Sequence, residues 1–190
     1  MDKSLLEKAK SKFRDHFGDA HAVASFAPGR IEVLGNHTDY NEGYVLSAAI
    51  ELGACFLASP SKDRTCRLVA GDIMKEAVFP VDSPAPAKEN GWANYVKGVL
   101  AGLAARKRPQ SGFNGLFFSN LPLAAGLSSS AALEMSSALA LSALYGMDLP
   151  KLDLAKIGQK SEHNFVGVKC GLLDQITSLF GEEHGLVMTD

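Results

Sequence analysis

Residues 121–132 read Leu-Pro-Leu-Ala-Ala-Gly-Leu-Ser-Ser-Ser-Ala-Ala. A turn at Gly126 and Leu127 delivers Ser128, Ser129 and Ser130 to the start of a run rich in Ala, Leu and Ser. The first-turn N–H groups of a helix have no partner within it, and the aligned peptide dipoles place positive charge there. Small residues let an anion come close to those donors, and serine hydroxyls add more, one of which can ligate Mg²⁺. One serine before a helix is ordinary capping, but three after a glycine turn exceed what a cap needs. The segment reads as a phosphate loop or, more plainly, as a helix start. It has neither the G-K-[ST] of a Walker A loop nor the G-x-G-x-x-G of a dinucleotide site.

Other residues carry usable chemistry at fixed spacings. His37 and Asp39, with Asn36 beside them, put several hydrogen-bonding groups into a few residues of Asn-His-Thr-Asp-Tyr. A hexose is discriminated by such fixed bonds, because a buried group left unpaired by the wrong epimer is costly. Taken alone, the stretch is a polar turn. Arg30 alone is a surface charge. Asp174 alone is a first-turn helix acid favoured by the dipole, and Glu162 a solvated helix carboxylate. Trp92 opens a helical pattern, where it suits either a core position or the face of a purine.

Periodicity supplies the elements that must position these groups. Leu5, Ala9, Phe13 and Phe17 share one face of an N-terminal helix. Short apolar runs at 21–27 and 31–34, split by Pro28-Gly29, and at 44–50, 52–59, 66–70 and 77–81 read as strands with turns between them. Residues 82–90 form a Pro/Ala-rich loop. Helices are expected from Trp92 to about Arg106, over 128–145, 152–165 and 172–180, with a strand at 113–119 and the start of another at 185–190. Strands early and helices late indicate an α+β layer architecture.

Bulk properties exclude several classes. The 190 residues are 46% hydrophobic and 21% charged, with a formal net charge of −2. No basic run suggests nucleic acid or an anionic membrane as partner. The three cysteines, Cys55, Cys66 and Cys170, are odd in number and widely spaced, which fits reduced thiols in a cytoplasmic protein. Charges interrupt every apolar run of the N-terminus, so it does not read as a signal peptide, and no run has the length of a membrane span.

Three blocks carry a resemblance to a known family. Residues 121–132 resemble the phosphate-wrapping motif of the GHMP kinases. Residues 27–43, Ala-Pro-Gly-Arg-Ile-Glu-Val-Leu-Gly-Asn-His-Thr-Asp-Tyr-Asn-Glu-Gly, resemble the sugar signature of the galactokinases within that superfamily. Residues 162–178 resemble the next galactokinase block, with its Cys-Gly-x-x-Asp-Gln core, and Trp92-Ala-Asn-Tyr-Val-Lys-Gly98 is also similar.

The resemblance implies a ribosomal protein S5 domain 2-like fold, a two-layer mixed sheet and helices, spanning residues 1–190. It implies ATP-dependent phosphorylation of the anomeric hydroxyl of galactose. Asp174 is then the catalytic base and Arg30 the cation near the transferred phosphate. Asn36, His37, Asp39, Gly171 and Asp174 line the sugar pocket. Gly126, Leu127, Ser128, Ser129 and Ser130 wrap the ATP phosphates, and Trp92 lies against adenine. Glu162 and a loop serine hold Mg²⁺, with Ser130 assigned and Ser128 and Ser129 as competitors. The partners are a sugar, ATP and a C-terminal domain whose glycine-rich motif lies outside this sequence. The chain is accordingly expected to be a truncated or partial one, without useful kinase activity alone.

Two positions depart from the family pattern: Asn36 stands where Glu is usual, and Glu32 where Asn is usual. A carboxylate only accepts from sugar hydroxyls, whereas an amide accepts and donates. Phosphorylation of N-acetylgalactosamine or L-arabinose therefore stands as an alternative. A non-catalytic galactose and ATP sensor is the other, against which the intact phosphate loop, Asp174 and Arg30 weigh.

Overall fold

A computed structural model describes residues 3–18, 20–35, 41, 43–122 and 124–189. The elements run α1 (Lys3–Phe17), β1 (Val23–Leu34), β2 (Val45–Pro60), β3 (Thr65–Ala70), β4 (Lys75–Pro80), α2 (Ala93–Ala104), β5 (Phe113–Ser119), α3 (Ser129–Leu144), α4 (Lys151–Ser161), a π-helical turn (Glu162–Val166), α5 (Leu173–Phe180) and β6 (Val187–Thr189). The strands form a mixed sheet in the order β1-β2-β5-β3-β4, with β6 pairing β2. The β3–β5 pair is parallel and the other pairs are antiparallel. This is the α+β architecture expected from the sequence.

Alternation along the central strands sends side chains to two faces. Cys55 and Leu57 of β2 join Val69 and Leu116 beneath the apolar stripe Leu5, Ala9 and Phe13 of α1. Phe56 and Ala58 point the other way, into the main core with Leu68, Phe113, Leu100, Met135 and Leu141 beneath α2, α3 and α4. Helix α3 is buried on most of its circumference, as expected for a helix whose sequence is apolar or small nearly all round. No helix among the described residues is long and apolar enough to cross a membrane.

The structure corrects the reading of two segments. Pro28-Gly29 does not split two strands: β1 runs through it, with register shifts between Pro28 and Arg30 and between Glu32 and Leu34. Proline is tolerated there because β1 is an edge strand, and a bulge takes up the irregularity. Likewise 44–50 and 52–59 are one strand, β2, which pairs with β1 from Val23–Ala58 to Leu34–Leu46. The expected helix over 152–165 is α4 followed by the π-helical turn, a feature common at functional sites.

Two close approaches hold the helical layer. A Cβ on Gly98 of α2 would fall 2.8 Å from the Ser161 Cα of α4, and one on Gly102 would fall 2.6 Å from the Ile157 side chain. The hydroxyl of Ser161 donates to the Tyr95 carbonyl at 2.7 Å across the same seam. At the centre lies Glu134 of α3, 0% exposed, accepting a bond from Gln175 Nε2 of α5 at 3.2 Å. Burial, and then the nearby Glu162 charge, push its carboxyl well above the usual carboxylate range.

Gly98→Val should lower stability by about 1–3 kcal/mol through overpacking, read as a shifted denaturation midpoint at unchanged denaturant slope. For Glu134 the folded value lies above the unfolded one. Stability therefore declines as pH rises from the ordinary carboxylate range through the folded value. Glu134→Gln, similar in shape but uncharged, should flatten that decline; denaturation of both proteins at about pH 5 and about pH 8 measures it.

Candidate functional site

The site is built where β1, the loop before α3 and the start of α5 meet. Strand β1 passes so close to the loop that a Cβ on Gly29 would lie 2.6 Å from the Leu127 carbonyl oxygen and from the Leu121 side chain. Glycine is required there by contact. The next residue, Arg30, donates its backbone N–H to that same Leu127 carbonyl at 3.1 Å. On the other side, the Ser178 hydroxyl of α5 donates to the Pro28 carbonyl at 2.7 Å. Ser47 of β2 and Thr177 of α5 form a buried hydroxyl pair at 2.5 Å. These bonds dock a helix of only 8 residues firmly enough to aim its first turn.

Asp174, in that first turn, is held by two partners. Arg30 Nε donates to its Oδ1 at 2.8 Å, and Arg30 Nη2 lies 2.6 Å from the same oxygen. The Ser128 hydroxyl donates to Oδ2 at 2.6 Å. Arg30 Nη1 also donates to the Gly126 carbonyl at 2.8 Å, tying the guanidinium to the loop. The Arg30 and Asp174 side chains are 13% and 27% exposed, so the pair is screened from bulk water without being sealed from it.

Ser128 holds the N-cap position of α3 without capping it through its side chain. It takes a left-handed conformation at φ 55° and ψ 49°, and its side chain makes no bond to the first turn of α3. The loop also bends through Ala124 and Gly126 at positive φ. An open cleft of about 270 Å³ results, lined by Arg30, Ala124–Ser130 and Asp174. It opens at the N-terminus of α3, where first-turn N–H groups without a partner inside the helix suit an anion.

Behind this cleft the Ser130 hydroxyl and the Cys170 thiol hydrogen-bond to Glu162. Burial outweighs these bonds and raises the Glu162 carboxyl above its usual range, with the Asp174 charge adding to the rise. Burial and the Glu162 charge also push the Cys170 thiol far up, so it remains an S–H donor. Ser130 and Glu162 thus place a hydroxyl and a carboxyl side by side, and hard oxygen donors suit Mg²⁺. No cluster of three or more His, Cys, Asp or Glu suited to a metal occurs among the described residues.

A second cavity of about 170 Å³ adjoins the first and shares Ser129 and Ser130 with it. Its walls include Trp92, Tyr95, Phe117 and Leu133. The rings of Trp92 and Phe117 stand 5.5 Å apart, and Trp92 Nε1 is a buried donor without an acceptor among the described residues.

The structure therefore gathers Arg30, Gly126–Ser130 and Asp174 in one cleft, sets Glu162 against Ser130 and puts Trp92 in the adjoining cavity. Gly171 is buried in the turn before α5 and is not among the cleft-lining residues. Asn36, His37 and Asp39 lie outside the described residues. Sequence reasoning passed over Glu134, Cys170 as a partner of Glu162, and Tyr95. Glu134 had a signal, being the one charged residue in Ser129–Leu144.

Residues 94–182 match the model of the GHMP kinases N terminal domain, and residues 11–60 match the galactokinase galactose-binding signature. Among solved structures, Lactococcus lactis galactokinase complexed with galactose superposes with a TM-score of 0.85 at 37% identity, over 93% of this chain and 47% of that one. Methanococcus jannaschii mevalonate kinase gives 0.78 at 21% identity, over 90% of this chain and 53% of that one. A D-glycero-D-manno-heptose 1-phosphate kinase from Bacteriodes thetaiotaomicron gives 0.71 at 21%, over 83% and 53%. The last two likenesses speak for the fold alone. The chain spans about half the length of these relatives. With the two models matching successive segments and the fold shared with a galactokinase at 37% identity, the chain belongs to the GHMP kinase family and bears the galactokinase signature.

Proposed function

We propose that this chain is the N-terminal domain, residues 1–190, of a two-domain kinase that transfers the γ-phosphoryl group of ATP to the anomeric hydroxyl of galactose. The observation that carries the reading is Asp174, held between the Arg30 guanidinium and the Ser128 hydroxyl at the mouth of the α3 anion site. The galactose-binding signature over 11–60 supports the choice of sugar.

Phosphoryl transfer needs positioning and charge stabilisation more than covalent help from the protein. In the proposed reaction the C1 hydroxyl oxygen attacks the γ-phosphorus, and the bond from that phosphorus to the β–γ bridging oxygen breaks. Asp174 accepts the hydroxyl proton. Its two oxygens offer about four lone-pair sites, so the bonds to Arg30 and Ser128 leave room for this. Arg30 orients the carboxylate and offsets charge developing on the phosphoryl oxygens. The N–H groups and serines of the loop receive the phosphates. The aromatic cavity, with Trp92, takes the adenine.

Ser130 and Glu162 supply the oxygens for Mg²⁺, whose charge would neutralise the phosphates. The sugar contacts assigned to Asn36, His37, Asp39 and Gly171 rest on the signature. Asn36 in place of Glu keeps another sugar, N-acetylgalactosamine or L-arabinose, as the second reading.

Galactose-dependent ADP release by the protein carrying both domains tests the function. Turnover of galactose above other hexoses is expected, and brisk turnover of another sugar without galactose would replace it. In the same assay Asp174→Asn should lower kcat by about 10²–10⁴-fold while galactose still binds. Arg30→Ala should lower kcat comparably and also raise the KM for ATP. Normal turnover by Asp174→Asn would remove the base role.

A further inference from the structure

The turn between β3 and β4 reaches the aromatic cavity. Gly71 extends the β3–β5 ladder by donating its N–H to the Phe117 carbonyl at 2.8 Å. The turn's anchor is thus the strand that forms the cavity wall. Asp72 and Ile73 then line the cavity together with Trp92, Tyr95 and Phe117. Ile73 is 49% exposed although it borders an apolar cavity. The Asp72 carboxylate is pinned by one oxygen, Oδ1, which accepts the Ile73 N–H at 2.9 Å.

Asp72 is the one carboxylate among the described residues that line this cavity. Trp92, which lines the cavity, presents it with the only indole of the chain. Flat aromatic walls and one carboxylate acceptor complement a nucleoside. A nucleoside offers a π face, ring-nitrogen acceptors, and donors on its base amine and ribose hydroxyls. The shared serines Ser129 and Ser130 join this cavity to the phosphate cleft, as a nucleotide spanning both would require.

We infer that Asp72 is a nucleotide-recognition residue, whose free carboxylate oxygen accepts a hydrogen bond from a donor on the nucleoside moiety of the bound triphosphate. This rests on the reading of the cavity as the nucleotide site. The contact forms in the ground state and the transition state alike, so it sets affinity and leaves the chemical step unchanged.

Trp92 is the chain's single tryptophan and lines the cavity, so its fluorescence reports binding directly. Titrating ATP into the chain should quench it saturably. Asp72→Ala should weaken ATP binding by about tenfold or more, the expected loss for a bond to a charged acceptor. Asp72→Asn, which keeps a carbonyl acceptor, should fall between.

Three analogues locate the donor: 2′-deoxy-ATP and 3′-deoxy-ATP for the ribose, and inosine triphosphate for the base amine. The analogue lacking the contacted donor should bind the wild type more weakly than ATP does, and that difference should vanish in Asp72→Ala. An unchanged ATP affinity in Asp72→Ala, or analogue differences that survive the substitution, overturns the role of Asp72 and leaves the nucleotide site standing. A wild-type chain that does not respond to ATP takes both down. Far-ultraviolet circular dichroism of the Asp72 variants checks that they keep the wild-type fold, which an exposed turn position should not disturb.

Discussion

The ion pair between Arg30 and Asp174 is the contact on which the rest of the site depends. It joins an edge strand to a short helix 144 residues later and recruits the loop before α3 on both sides. A partly buried pair of this kind contributes little net stability by itself, because desolvation offsets the Coulomb attraction. Its value is positional: it fixes a carboxylate and a cation a few ångströms from a helix N-terminus. Any ligand in the cleft meets a donor, an acceptor and an anion site already oriented, so little reorganisation remains to be done on binding.

Strand β1 is the frame for that pair. Its carbonyl at Pro28 receives Ser178 of α5, its backbone N–H at Arg30 meets Leu127, and its side chain at Arg30 reaches Asp174 and Gly126. The register shift beside Arg30, where residues 50–52 of β2 stand opposite Gly29 alone, interrupts the regular ladder at the point where β1 meets the loop. A proline and a glycine, which usually weaken a strand, here permit the edge position and the close approach of the loop.

Acidic side chains cluster behind the cleft. Glu134, Glu162 and Asp174 interact with one another, and the first two are raised by burial. Burial favours the neutral form of both glutamates, and each would gain a further acid's repulsion on ionising. Ser130 links this acidic interior to the loop before α3, and Ser129 and Ser130 link that loop to the aromatic cavity. The first turn of α3 therefore borders three environments: anionic, cationic and apolar.

Much of this was legible in the sequence, where local spacing carries the information. Apolar recurrence located α1, and the run at 113–119 located β5 with its bounds. The Gly-Leu-Ser-Ser-Ser segment announced a helix N-terminus with surplus donors, because those donors belong to consecutive residues. What depends on partners far along the chain was decided only by tertiary structure. Pairing with β2 carried β1 through Pro28-Gly29, overriding two strong turn residues with a ladder of backbone bonds. Ser128 had every local reason to cap α3, yet its hydroxyl went to an acid 46 residues away. Capping would use the serine oxygen as an acceptor, whereas the docked carboxylate takes the serine proton in a charge-assisted bond that holds the side chain away from the first turn of α3.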